Sequence, residues 1–312
     1  MITLRMTADT MGRTRLAASP AAEVTVWLWL LVAGRSHPLF GAHGPAARSI
    51  LSHPDVALVA STLSPVYAPD LLTPAATPGQ PRSVLDTQLD KVSSTAQEAI
   101  ADQVGHAVGH GRQVPAPVRD AVDSGTFGRR AANGLAVFWR HVLADDWGSL
   151  NGAMEADLAE RTRTMAGHGL GALLGSLHPT VSWAGGSLMI DLGRHDEDVE
   201  LGDRELVLSP SVLNWPNVTV QPCGDGPAVI NYPAAGLAAD ARRDPDVLAR
   251  LYGDTRAGLL ADLGAPRSTA ELSARHEVAP STVSYHLRIL HQAGLITRRR
   301  DGHFVLYQRK PG

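Results

Sequence analysis

Thiols are almost missing from this chain: Cys223 is its only cysteine. No intrachain disulfide can form, and the clustered thiolates of a soft-metal site cannot be assembled. Lying in Pro222-Cys223-Gly224-Asp225-Gly226 with no cation beside it to lower its pKa, this thiol reads as passive rather than as a redox switch. Lysine is scarce as well, since of 28 Lys and Arg residues only Lys91 and Lys310 are lysine. That bias, with abundant alanine and glycine, points to a GC-rich genome rather than to a need for guanidinium chemistry. Long apolar runs are also missing. The stretch Val24 to Ala33 is about half of the ~20 residues that span a bilayer. A preceding segment that holds Asp9 and Glu23 is unlike a secretory signal. The expectation is a protein of the reducing cytoplasm with no membrane partner. Internal repeats, a phosphate-binding glycine loop, a nucleophile elbow and an HExxH pattern are all lacking. An enzyme is therefore the weaker reading, and no cofactor and no metal is expected.

What is present is a chain of 312 residues, long enough for two domains, with an ordinary 44% hydrophobic content. Its charge is unevenly divided. Residues 253–312 hold nine Lys/Arg and five Asp/Glu, a surplus of four on a chain whose total is −3. The remainder therefore carries −7, and a basic module on an acidic body suits a DNA reader attached to something that should avoid DNA.

That basic module reads as a winged helix-turn-helix. Ser268 and Glu271 are spaced as a capping box opening a helix, and Leu272 and Val278 supply apolar contacts in that helix and the turn after it. A second helix opens at Pro280, whose missing N–H would be unpaired there anyway. Within it Val283, Leu287 and Leu290 recur at helical spacing and should face the core. Ser281, Thr282, Ser284, Tyr285 and Arg288 fall on the other faces, where such a helix enters a major groove and reaches base edges. Ala293-Gly294 closes the helix as a left-handed cap. The runs Leu295 to Arg300 and His303 to Tyr307 flank the turn pair Asp301-Gly302, a strong hairpin signal. Arg298, Arg299, Arg300 and His303 would then offer a protruding wing to phosphates. His286 lies beside the Val283–Leu287 face, and packing, a phosphate bond and base reading all remain open for it.

The stretch Ser281-Thr282-Val283-Ser284-Tyr285-His286-Leu287, followed by Leu290, Ala293 to Ile296 and Arg299-Arg300-Asp301-Gly302, resembles the DNA-binding signature of the ArsR family of bacterial repressors. The resemblance implies a homodimeric repressor on an inverted repeat of double-stranded DNA, released or retained by an effector. The family's second usual metal site lies on a helix after the wing, and this chain ends five residues beyond Tyr307; neither of the family's metal sites is expected. Without that helix, residues 1–240 should form the dimer, leaving 241–312 as a monomeric winged helix-turn-helix. Two departures stand out. His276-Glu277 replaces the usual Leu-Gly before the turn, which predicts a looser or differently wound turn. Pro280 stands where a polar, DNA-contacting residue would be expected.

The fold class predicted is α+β: a mostly helical N-terminal domain with a short-stranded β region, then the winged helix-turn-helix. Residues 2–7 alternate like an edge strand, a helix begins near Ala8, and a Trp/Leu-rich helix covers about 21–33. Ser64 to Arg82 contains five prolines and reads as a loop long enough for a lid or a dimer arm. Helical patterning runs from Val84 to Leu177, and short β-prone runs fill Thr180 to Tyr232. A helix from Asp246 to about Leu263 links the parts. An opening strand, a Thr7-Ala8-Asp9 start and Pro69-Asp70-Leu71-Leu72-Thr73-Pro74 also resemble the long regions attached to some large ArsR-type regulators.

Chemistry in the large part is sparse. Asp102, His106 and His110 would share a helix face and could ligate a metal, but thirteen histidines make a chance pairing easy and Gly105, Gly109 and Gly111 weaken that helix. Arg194-His195-Asp196-Glu197-Asp198 reads as a solvated loop. An apolar pocket lined by some of Trp27, Trp29, Trp139, Trp147, Trp183 and Trp215 would suit a small organic effector, with core packing as the bland alternative. A ligand-binding or enzymatic N-terminal domain, with DNA binding secondary, and a scaffold whose winged helix contacts protein are the competing functions.

Overall fold

The computed structural model describes residues 1–64, 67–77, 81–109, 114–193, 196–222, 226–237, 254–292, 295–301 and 304–310. The chain is α+β. Strand β1 (Ile2–Arg5), helix α1 (Ala8–Gly12) and strand β2 (Arg15–Leu16) open it. Helix α2 (Pro20–Val32) begins with proline in its first turn and Ser19 capping the Ala22 N–H. Short helix α3 (Pro45–Ser49) and then α4 (Pro54–Thr62), α5 (Pro81–Ser93), α6 (Gln97–Gly109), α7 (Ala116–Asp123) and α8 (Phe127–Phe138) complete a helical layer. Its core gathers Leu28, Val59, Leu72, Phe127, Leu135 and Phe138. Helix α8 packs against α4 and α5 at two glycines. A Cβ on Gly128 would lie 2.9 Å from the Val92 carbonyl oxygen, and one on Gly134 would collide with the backbone of Asp55. Arg130 and Asn133 of the same helix donate to the Asp55 carboxylate at 2.7 and 2.8 Å.

Helix α9 (Trp147–Gly175) leads to the strands and kinks at Gly169, where φ is +82°. Two four-stranded sheets are described. The first orders β3 (Val181–Ala184), β4 (Ser187–Ile190), β1 and β5 (Glu197–Glu200). The second orders β2, β6 (Leu206–Ser211), β8 (Ala228–Pro233) and β7 (Thr219–Gln221). Leu4, Leu188 and Ile190 of the first sheet share a core with Leu206, Leu208 and Ile230 of the second and Leu173 and Leu174 of α9. The opposite face of the second sheet, through Val207 and Val229, packs on Ala17, Ala76 and Val84. Strands β6 and β8 are consequently buried along their whole length.

The structure corrects several expectations. Strand β1 is not an edge: it lies between β4, antiparallel, and β5, parallel. Of the charged run read as a solvated loop, Glu197 and Asp198 belong to β5, and Arg5 binds Asp198 in two hydrogen bonds of 2.8 and 2.6 Å; Arg194 and His195 lie outside the described residues. The proline-rich segment is no extended arm where it is described, since Leu71, Leu72 and Ala76 are buried. The boundary expected at 240/241 and residues 246–253 of the linking helix lie outside the described residues, as do His110 and Cys223. Among the described residues no helix is long and apolar enough to cross a membrane, and no cluster of three His, Cys, Asp or Glu could hold a metal. His106 and Asp102 face one another at 3.8 Å, both exposed.

Candidate nucleic-acid interface

The C-terminal part is built from helix α10 (Asp254–Asp262), strand β9 (Arg267–Ser268), helix α11 (Thr269–His276), helix α12 (Pro280–Gln292) and the hairpin β10 (Ile296–Asp301) and β11 (Phe304–Arg309). The capping box forms: the Ser268 hydroxyl accepts from the Glu271 N–H at 3.3 Å, and the Glu271 carboxylate accepts from the Ser268 N–H at 2.7 Å. Helix α10 is tied to α11 through Asp262, which accepts from Arg275 at 2.7 and 3.0 Å and lies 2.9 Å from His276 Nε2. The Arg275 hydrogen bond is the largest influence holding that carboxyl down to about 2.

The turn between α11 and α12 keeps its tight geometry without glycine. Glu277 sits at φ 54°, ψ 35°, the one non-glycine residue with positive φ among the described residues. A looser or differently wound turn was expected; Glu277 itself takes the left-handed conformation, and local hydrogen bonds close the turn. The Val278 N–H donates to the Ser273 carbonyl at 3.2 Å, and the Ser273 hydroxyl donates back to the Val278 carbonyl at 2.7 Å.

Helix α12 separates its faces cleanly. Val283, Leu287 and Leu290 are buried with Leu272, Leu259 and Leu295. Ser281, Thr282, Ser284, Tyr285 and Arg288 are all exposed. Arg288 stacks over the Tyr285 ring at 5.6 Å, so two of these side chains form one unit. His286 is half-buried, with Nδ1 unpartnered; burial and then the nearby Arg256 cation lower its pKa, which favours the packed alternative. Ile289 is also buried, an apolar contact the spacing argument passed over.

Strands β10 and β11 pair in antiparallel register, and β11 also pairs with β9. Asp301 is paired with Phe304, so Asp301 ends the strand rather than occupying the turn. Gly302 and His303 lie outside the described residues, as does the cap at Ala293-Gly294. Arg298, Arg299 and Arg300 are exposed along β10. Strand alternation puts Arg298 and Arg300 on the face of buried Ile296 and turns Arg299 to the other face with Thr297. The wing thus carries cations on both sides. Burial first, then Arg298 and Lys310, push the pKa of His291 down, a sign of positive field at the root of the wing. Arg256 and Lys310 are cations of this surface that motif reasoning missed, because their proximity depends on the packing of the ends.

Residues 254–299 match a family described as a helix-turn-helix domain. The chain carries the helix-turn-helix of a DNA-binding transcription regulator. Residues 135–238 match a family of unknown function, DUF5937, which takes in α9 and strands β3 to β8. No curated protein and no solved structure matches the chain.

Four of the six tryptophans, Trp27, Trp29, Trp139 and Trp147, belong to the core of the helical layer. Trp27 stacks on His43 at 4.1 Å and Trp139 meets Trp147 at 4.5 Å in the helical layer, whereas Trp183 packs with the sheets. Trp215 joins Leu39 in the hydrophobic cluster of the winged module, so the N-terminal part contributes side chains to the core beneath helix α12.

Proposed function

We propose that this regulator is a homodimeric repressor of the ArsR type that binds an inverted repeat through the C-terminal module. The observation that carries the reading is the division of α12: three fully buried aliphatic residues on one side, and Ser281, Thr282, Ser284, Tyr285 and Arg288 exposed on the other. Short hydroxyl side chains at the N-terminal end and an arginine one turn later supply donors and acceptors for base edges. Arg298, Arg299, Arg300 and His303 hold phosphates on either side of the wing. Residues 1–240 supply dimerisation and an effector site, and residues 241–312 supply DNA binding.

Selection of bound sequences from a random duplex pool with the full-length protein tests the reading. The expected product is an inverted repeat with half-sites about one helical turn, or a multiple of it, apart. Failure to enrich any sequence, or enrichment of a single unrepeated half-site, would overturn it.

A further inference from the structure

Two side chains of the N-terminal part, Leu39 and Trp215, sit in the hydrophobic cluster of the winged module and not in that of the helical layer. Each is only 3% exposed. Leu39 lies at the middle of a tight turn from His37 to Gly41, whose ends exchange two backbone hydrogen bonds of 2.8 Å. A leucine on so short a turn would ordinarily face water; here it is buried in company with Leu259, Leu287 and Leu290 of the module. The turn is braced from within. His37 Nδ1 accepts from the N–H groups of Leu39 and Phe40, each at 3.1 Å. Burial drives the His37 pKa down to about 3, so the ring stays neutral and Nδ1 remains an acceptor.

Both side chains are fastened to helix α2. Glu23 accepts from the Ser211 hydroxyl and from the N–H groups of Val212 and Leu213 at 3.2 and 2.8 Å, which sets the turn that leads to Trp215. One helical turn after Glu23, Trp27 meets the His37 ring edge-on at 5.9 Å, and His37 lies 6.5 Å from the Trp215 ring. Trp27 itself belongs to the core of the helical layer. A third contact comes from Leu237, which packs against the clusters of both parts. The Asp157 carboxylate holds the backbone just before it, accepting from the Ala235 N–H at 2.8 Å and from the Tyr232 hydroxyl at 2.7 Å. The winged module therefore rests on three side chains whose places are set by the folded N-terminal part.

The contact leaves the outer side of α12 free. Val283, Leu287 and Leu290 share the cluster with Leu39 and Trp215, whereas Ser281, Thr282, Ser284, Tyr285 and Arg288 are exposed. We propose that Leu39 and Trp215 are positioning residues for operator binding. Seated in the module, they hold α12 at a fixed place on each protomer, so that two recognition helices reach two half-sites together. Neither touches DNA. Nine of the eleven buried members of the cluster belong to the module itself, so most of its core remains when the contact opens. Opening leaves each module joined by its chain alone. The second half-site is then met at the effective concentration of a tether instead of at a set separation. The inference rests on the reading of the chain as a dimeric regulator that binds an inverted repeat.

Leu39→Ala and Leu39→Met in the full-length protein test it, by fluorescence anisotropy on the selected inverted repeat and on a duplex holding one half-site. Leu39→Ala should weaken binding to the repeat by at least about tenfold, part of the gain that linked sites supply. Its binding to the half-site should change by less than about twofold, because Leu39 lies apart from the DNA-facing residues. Leu39→Met nearly keeps the buried volume and should bind both duplexes as the wild type does. Half-site binding also reports that the module is folded in each variant. Nitrogen-15 relaxation of α12 and β8 amides gives a second measurement without DNA: the two should tumble together in the wild type and separately in Leu39→Ala. Unchanged repeat binding by Leu39→Ala, equal losses on repeat and half-site, or separate tumbling in the wild type would each overturn the proposal. Where the repeat has been selected, the DNA-binding reading survives any of these. If the pool yields no inverted repeat, that reading falls and the operator role falls with it, while common tumbling lost in Leu39→Ala would keep Leu39 as the residue that docks the module.

Discussion

The Arg288 guanidinium lies over the Tyr285 ring, 5.6 Å from its centroid, on the exposed side of α12. The aromatic face holds the cation at one end of the surface that carries Ser281, Thr282 and Ser284, so the two side chains should act together on DNA.

Arg288→Ala is expected to weaken binding to the selected duplex by about 1–3 kcal/mol and to random DNA by less. Tyr285→Ala should share part of that specific loss by releasing the guanidinium. Fluorescence anisotropy on both duplexes decides, and equal losses on the two would remove Arg288 as a base reader.

Arg299→Ala addresses phosphate rather than sequence. Binding to every duplex should weaken to a similar degree, and the slope of log K against log salt should fall by about 1. A salt titration with an unchanged slope would take Arg299 off the phosphate path.

Glu277→Gly should stabilise the protein by up to about 1 kcal/mol, because glycine accepts the left-handed conformation that glutamate adopts at a cost. A denaturant titration that shows a lower midpoint would mean the Glu277 side chain supplies more than its backbone costs.

Gly134→Ala tests the α4–α8 contact in the opposite sense. On an open helix surface alanine would be favoured, but here its methyl group would meet the Asp55 backbone. Overpacking of this kind costs about 1–3 kcal/mol. An unfolding midpoint at or above wild type would show that α8 can move away without penalty.

Glu23 makes stability depend on pH. Burial is the largest influence on its carboxyl and raises it to about 7, against the opposing pull of Ser211 and the N–H groups of Leu213 and Val212. In the unfolded chain the group ionises near its ordinary value of 4.5. Between these values the folded state holds a proton that the unfolded state has lost, so Glu23's contribution is full below 4.5, declines as pH rises and levels off above about 7. Glu23→Gln should lose that slope. Parallel stability profiles for wild type and variant over this range would refute the assignment.

The winged module was readable in sequence because its determinants are local. The Ser268–Glu271 capping box, Pro280 at a helix start, the Val283–Leu287–Leu290 spacing and β-prone runs around Asp301-Gly302 each act over a few residues. The expected α+β division was readable for the same reason. Two details were less accessible: Asp301 pairs instead of turning, and Arg299 faces away from Arg298 and Arg300. Both depend on the hairpin register.

By itself, then, the sequence determined the local elements and the C-terminal DNA-binding module, since capping, helical period and turn chemistry are short-range. Only tertiary structure decided how the large part closes. Strands β1 and β2 pair with β5 and β6, far along the chain, and no local pattern specifies a parallel partner at that distance. The same long-range packing buries Glu23 against Leu213 and carries Leu39 and Trp215 into the core of the winged module. Such contacts arise from how the layers stack, which periodicity along one strand or helix does not encode.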